Sequence, residues 1–205
     1  RTPPGYQGWA DTLLRLARPA GDTARLLAAY GLQGEYLSRA GEFVKLEDIT
    51  RETLKLIDPE RSPRDFIKLM MHASYATAQR GDPDLALERL LIALKYADRE
   101  GVLPGSRAML KYSLGRAYVE RGEPTKAIPY FQESIRWSRD KPHPPSIAQN
   151  LNYLGRAHHA LGQLDTALAE QTEGLAIVRR INDGTELARQ LVELGSLHVD
   201  RHELK

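Results

Sequence analysis

Six histidines and 27 carboxylates are the side chains with which this 205-residue chain could do acid–base or metal chemistry. The densest cluster is "GRAHHALGQLDTALAE" at 155–170, where His158 and His159 adjoin and Asp165 and Glu170 follow. Imidazoles beside carboxylates are the ingredients of a metal centre or a general acid–base pair. A second candidate is His198 with His202, an i, i+4 pair able to chelate one ion, with Asp200 and Glu203 nearby. His143 reads as a loop residue between prolines and His72 as a helix-flank residue without company. The absence of cysteine excludes thiol catalysis, cysteine-ligated zinc and disulfides. Glycines are too dispersed for a phosphate loop, and no strand–turn–helix context unites a serine with a histidine. The carboxylate pairs Glu47–Asp48 and Glu186–Glu193 are expected on solvated faces.

What positions these residues is an internal repeat. "YSLGRAYVERGEPTKAIPYFQESI" (112–135) aligns with "NYLGRAHHALGQLDTALAEQTEGL" (152–175) at an offset of 40. The first small residue recurs as Gly34, Ser74, Gly115, Gly155 and Gly195; a second ladder is Gly41, Gly81, Gly122 and Gly162, with His202 in its fifth place. Leu46, Ala86, Ala127 and Ala167 form a third. Apolar residues at three- and four-residue spacing flank each second glycine, so each unit reads as two amphipathic helices joined by a tight turn. Breakers at 58–63, 99–105, 139–146 and 182–184 separate the units, and no segment alternates as a strand does.

The pattern predicts an all-α chain: an α-solenoid of stacked antiparallel helix pairs, each burying its stripe against the next. Residues 1–26 are read as a leading helix or cap, with the helix itself over 9–18. The repeat array then runs over 27–205, with units near 27–66, 67–107, 108–147, 148–187 and a truncated 188–205. Small residues are expected where paired helices touch, and Tyr118 and Phe131 are expected to fill the wedge between successive pairs. His158 stands in Tyr118's place and is read as a wedge residue. His159, about 100° further around the helix, cannot share an ion with it. His202 is expected in an interhelix turn, which spoils its spacing from His198, so no metal or other cofactor is assigned.

Leu114, Gly115, Tyr118, Ala127, Phe131 and Ser134 fill, in order, the signature places of the tetratricopeptide repeat, and Leu154, Gly155, His158, Ala167, Gln171 and Gly174 fill them in the next unit. The chain resembles that family, in the long form found in kinesin light chains, Rap-type regulators and bacterial signalling sensors. The resemblance implies a right-handed array and a non-catalytic module, the sensory or regulatory part of a larger signalling protein. It implies a concave groove for an extended peptide or partner segment, lined by Lys68, Tyr75, Tyr112, Arg116, Asn152, Arg156, His159 and Arg189. Arginine forks suit carboxylates. Asn152 is the place where related repeats hold a peptide backbone.

Alternatives stand beside that expectation. The arginines could simply pair with Glu120, Asp200 and acids of the second helices and solubilise the face. "GSLHVDRHELK" ends as a first helix without its partner, so the array could self-associate through it. A metal-dependent enzyme at His198 and His202 is the remote alternative. With 29 basic and 27 acidic side chains no field favours nucleic acid directly, no run is long enough to insert in a membrane, and no compartment is indicated.

Overall fold

The computed structural model describes residues 8, 12, 15, 16, 23–140 and 143–203. The expected leading helix at 9–18 lies almost wholly outside them. Among the described residues every assigned regular element from Thr23 onward is an α-helix: α1 (Thr23–Ala40), α2 (Phe43–Leu54), α3 (Pro63–Gln79), α4 (Pro83–Leu94), α5 (Pro104–Glu120), α6 (Pro124–Asp140), α7 (Pro144–Ala160), α8 (Leu164–Ile181) and α9 (Gly184–Glu203).

Local chemistry sets these boundaries. Five successive helices, α3 to α7, begin on a proline, whose missing N–H costs nothing in a first turn and whose fixed φ suits helix entry. Asp82 caps α4 by accepting from the Leu85 N–H at 3.0 Å. The turn glycines Gly41, Gly81, Gly122 and Gly162 all have φ between 72° and 90°. That left-handed conformation suits a residue without Cβ, which explains their ladder. Asn182 closes α8 in the same conformation, φ 57°. The turn predicted at His202 does not form: α9 continues through Glu203, because no glycine stands there to reverse the chain.

The chain divides into two compact units, residues 1–106 and 107–205. In the first, α1 packs on α2 and α3 on α4, around Leu46, Ile67 and Leu90, all essentially inaccessible. Phe43 meets Tyr75 edge-on, tying α2 to α3. In the second, Ala127, Phe131, Ile135, Leu151 and Leu154 form a core bordered by Tyr112, Tyr118 and Tyr153. Phe131 stacks on Tyr153 at 6.0 Å and so joins two helix pairs as predicted, whereas Tyr118 stacks on Tyr130 of its own pair. Full burial of a ring such as Phe131 contributes about 1.5–3 kcal/mol.

At Gly115 and Gly155 the small residue has the expected cause, and at Gly195 it does not. A Cβ on Gly115 would lie 2.7 Å from Phe131 Cε1, and one on Gly155 would lie 2.6 Å from Gln171 Cγ. Around Gly195, in the same place on α9, nothing lies within 4 Å.

Candidate partner-binding surface

The first unit carries Lys68 and Tyr75 on α3. Lys68 Nζ bonds Glu35 of α1 at 3.0 Å, with both side chains roughly two-fifths exposed. His72, one turn on, is not the isolated flank residue expected. Its Nδ1 would come within 2.7 Å of a Cβ on Gly34, and no described residue partners that nitrogen. Burial, with the Lys68 charge adding to it and Glu35 opposing, pulls His72 down to about 4. Glu47 also departs from expectation. It is not solvated but clamped between Arg80 and Arg89, at 3.1 Å from the latter, which also bonds the Ala73 carbonyl at 3.0 Å. Burial pushes its carboxyl up, but the hydrogen bonds and charges of the two arginines outweigh that and hold it below the usual carboxylate range.

The second unit carries the other six residues on its first helices: Tyr112 and Arg116 on α5, Asn152, Arg156 and His159 on α7, Arg189 on α9. Acids of the first helices lie against four of them. Arg116 pairs with Glu120 at 3.4 Å, Arg156 with Glu193 at 3.4 Å, Arg189 with Glu186 at 2.5 Å, and His159 with Asp200 at 2.6 Å. Glu186 and Glu193 were expected in solvent. Instead the Glu186 side chain is 6% exposed and Glu193 links α9 to α7. Arg156 is held twice, since its guanidinium also lies over the Tyr153 ring at 4.9 Å.

Of the expected contact residues, Tyr112 is partly buried and Asn152 is covered. Burial pushes the Tyr112 phenol well above its ordinary range, with Tyr153, Arg116, Glu186 and Arg189 all close enough to act on it. Asn152 is 0% exposed, and neither amide atom has a protein partner. Beside the partly exposed Arg156 and Arg189, two apolar side chains of α9 face outward, Val192 at 72% and Val199 at 56%.

The adjacent histidines diverge as helical geometry requires. His158 is buried and its Nδ1 lies 2.7 Å from Glu170 of its own pair, rather than wedging a neighbour. His159 reaches across to α9. Burial pushes the Glu170 carboxyl up, against the lowering effect of the His158 hydrogen bond. His198 and His202 share one helix, yet among the described residues no three histidine or carboxylate side chains gather to hold a metal. No described helix is long and apolar enough to cross a membrane. Sequence reading missed the Glu47 clamp, the buried amides Asn150, Gln171 and Gln190, and Glu186. The available signal was the 40-residue offset, which sets Gln171 against Phe131 and Gln190 against Leu110 through Asn150.

Consecutive helix pairs with small residues at the contacts and glycine turns between them define the class: an all-α helix-pair repeat of the α-solenoid type. The family model "Tetratricopeptide repeat" matches residues 73–143 and 112–178, together more than half of the chain. The chain belongs to the tetratricopeptide repeat family, a scaffold that is in general non-catalytic and serves protein partners. No curated protein matches it.

Among solved structures, BtubC (BKLC) from P. vanneervenii is similar over 92% of this chain and 78% of its own, with a TM-score of 0.75 and 20% identity. A putative kinesin light chain with nearly identical TPR-like repeats, from Podosopora anserina, matches over 86% and 87%, TM-score 0.66, 16% identity. The STAND protein with a tetratricopeptide repeat sensor from Pyrococcus horikoshii matches over 91% of this chain and 29% of that one, TM-score 0.73, 14% identity. At these identities the likeness is one of fold.

Proposed function

We propose that the chain is a non-catalytic recognition module whose 107–205 unit binds an extended segment of a partner protein on its first-helix face, as the sensory or regulatory part of a larger signalling protein. The observation that carries this reading is Arg156. Its guanidinium is fixed between the Tyr153 ring and Glu193 while the side chain stays 34% exposed. A cation immobilised before binding loses little further freedom when it engages a carboxylate or main-chain carbonyl. Exposed Val192 and Val199 offer the apolar anchor beside it. Because acids of the same face already neutralise Arg116 and Arg189, the face selects for shape and one or two polar contacts rather than for a strongly acidic ligand.

A displayed random-peptide library selected on the whole chain tests this. The expected ligands pair an acidic residue with apolar ones at fixed spacing. Each of Arg156→Ala and Val192→Asp should weaken them at least tenfold. Ligands indifferent to both substitutions, or no ligand at all, overturn the proposal.

A second reading has its own observation. Leu191 of α9 is 47% exposed, whereas Leu151, forty residues earlier, is 3% exposed under α8. Docking of α9 onto another copy would cover it. Sedimentation at micromolar concentration decides: a dimer dispersed by Leu191→Glu supports self-association, and a strict monomer rejects it.

A further inference from the structure

Residues forty positions apart occupy equivalent places in the pairs α5–α6 and α7–α8, and five of the differences between them put a polar side chain where a leucine or an aromatic ring stood. Leu110, Tyr112, Tyr118, Tyr130 and Phe131 become Asn150, Asn152, His158, Glu170 and Gln171. The stacked Tyr118–Tyr130 rings, 5.7 Å apart, give way to the 2.7 Å His158–Glu170 hydrogen bond. Phe131, pressed on Gly115, gives way to Gln171, pressed on Gly155.

These substitutions do not face solvent. Asn150 is 2% exposed and Asn152 and Gln171 are 0% exposed. Gln190 of α9, equally buried, extends the set: its Nε2 donates to the Ala148 carbonyl of α7 at 3.2 Å, and its amide packs against Gly174 of α8. Asn150 Nδ2 donates to the Ser146 carbonyl at 2.8 Å. Asn150 Oδ1, both amide atoms of Asn152, both of Gln171 and Gln190 Oε1 have no protein partner.

An unsatisfied buried amide atom loses its hydration without return, and folded proteins hold few of them. Six amide atoms without a protein partner, on four side chains of α7, α8 and α9, give this interior groups that water satisfies readily when the helices separate. Opening α5–α6 frees the lone Ser138 hydroxyl of α6 but chiefly exposes Phe131 and its tyrosines, which water does not reward. In a repeat array each pair is held only by its neighbours, so such a contrast stays local. The polar links from α7 to α9, the Arg156–Glu193 ion pair and the His159–Asp200 hydrogen bond, are partly exposed and add little to helix–helix stability, and Arg156 keeps its place over Tyr153 of its own helix without them.

We propose that the polar α7–α8 pair is a joint built into the array: α8 and α9 open from α7 as one local unit, wetting the four carboxamides, while α5 and α6 stay closed. Val192, Val199 and Arg189 ride on α9, so the joint makes part of the proposed partner face adjustable. The inference does not rest on that face binding anything.

Hydrogen exchange on the intact, partner-free chain under native conditions tests it. Buried helical amides of α8 and α9 are expected to exchange at least tenfold faster than those of α5 and α6. The double variant Asn150→Leu/Gln171→Phe, which installs the residues of the neighbouring pair, is expected to slow α8 and α9 at least tenfold without changing α5 and α6. Asn152→Ala, which removes two unpartnered atoms and adds no volume, is expected to slow the same segment and serves if the double variant does not fold. Equal rates across α5–α9 in the unmodified chain overturn the proposal. So does fast exchange of α8 and α9 that persists in a folded double variant, or that increases in Asn152→Ala.

Discussion

Gly115 and Gly195 stand in the same place of their repeats and have opposite surroundings, so one substitution should have opposite effects. At Gly115 an added methyl meets three carbons of the Phe131 ring within 2.9 Å, and Tyr112 and Tyr153 wall that ring in. Gly115→Ala is expected to cost about 1–3 kcal/mol, the range for overfilling a packed core. At Gly195 the methyl meets nothing, and the gain in helix propensity should stabilise by about 0.5–1 kcal/mol. Urea denaturation of both variants checks this, and two shifts of the same sign would show that the glycine ladder is not explained by contact. The same scale shows where residue type misleads. Glu47 reads as a surface acid because nothing local announces Arg80 and Arg89, which lie 33 and 42 residues away. His158 reads as a wedge between successive pairs, but it is buried against Glu170 of the following helix in its own pair.

At the level of the helices, proline placement is the clearest local signal and also the clearest anomaly. Five prolines open helices, whereas Pro129 sits inside α6, exposed, where it removes a backbone donor and crowds the preceding turn. Pro129→Ala is expected to stabilise by about 1–2 kcal/mol, less than the full interior penalty because the unfolded chain also gains freedom. A thermal melt reads it, and an unchanged or lower midpoint would mean that α6 has already accommodated the ring. Helix α9 shows the reverse failure of local reading. The ladder of turn glycines predicted a turn at His202, but the helix runs on because a repeat position does not enforce a turn without the residue that makes it.

For the molecule as a whole, 29 basic and 27 acidic groups leave a formal charge of +2, so the stability of the chain near neutrality should depend little on net charge. A specific pH dependence is expected from His72. Its folded value of about 4 lies below the unfolded 6.5, so the unfolded chain takes up the proton first. The stability His72 contributes is complete above about pH 6.5 and falls away as pH drops toward 4, by about 3 kcal/mol at most. His72→Gln should flatten the denaturation profile over that window, and parallel profiles would exclude the assignment. The contribution of Glu47, whose value is lowered, is lost only at still lower pH, as the solution passes below the ordinary carboxylate range, so the two effects separate.

By itself the sequence determined the helix pairs, their turns and the contacts at Gly115 and Gly155, because glycine handedness, proline stops and 3.6-residue periodicity act within a few residues. Only the tertiary structure decided that Asn152 is covered and that Arg156 of α7 meets Glu193 of α9. It alone put six amide atoms where no protein group meets them. Those outcomes depend on which side chains face each other across helices 30 to 40 residues apart, a relation that no local pattern encodes.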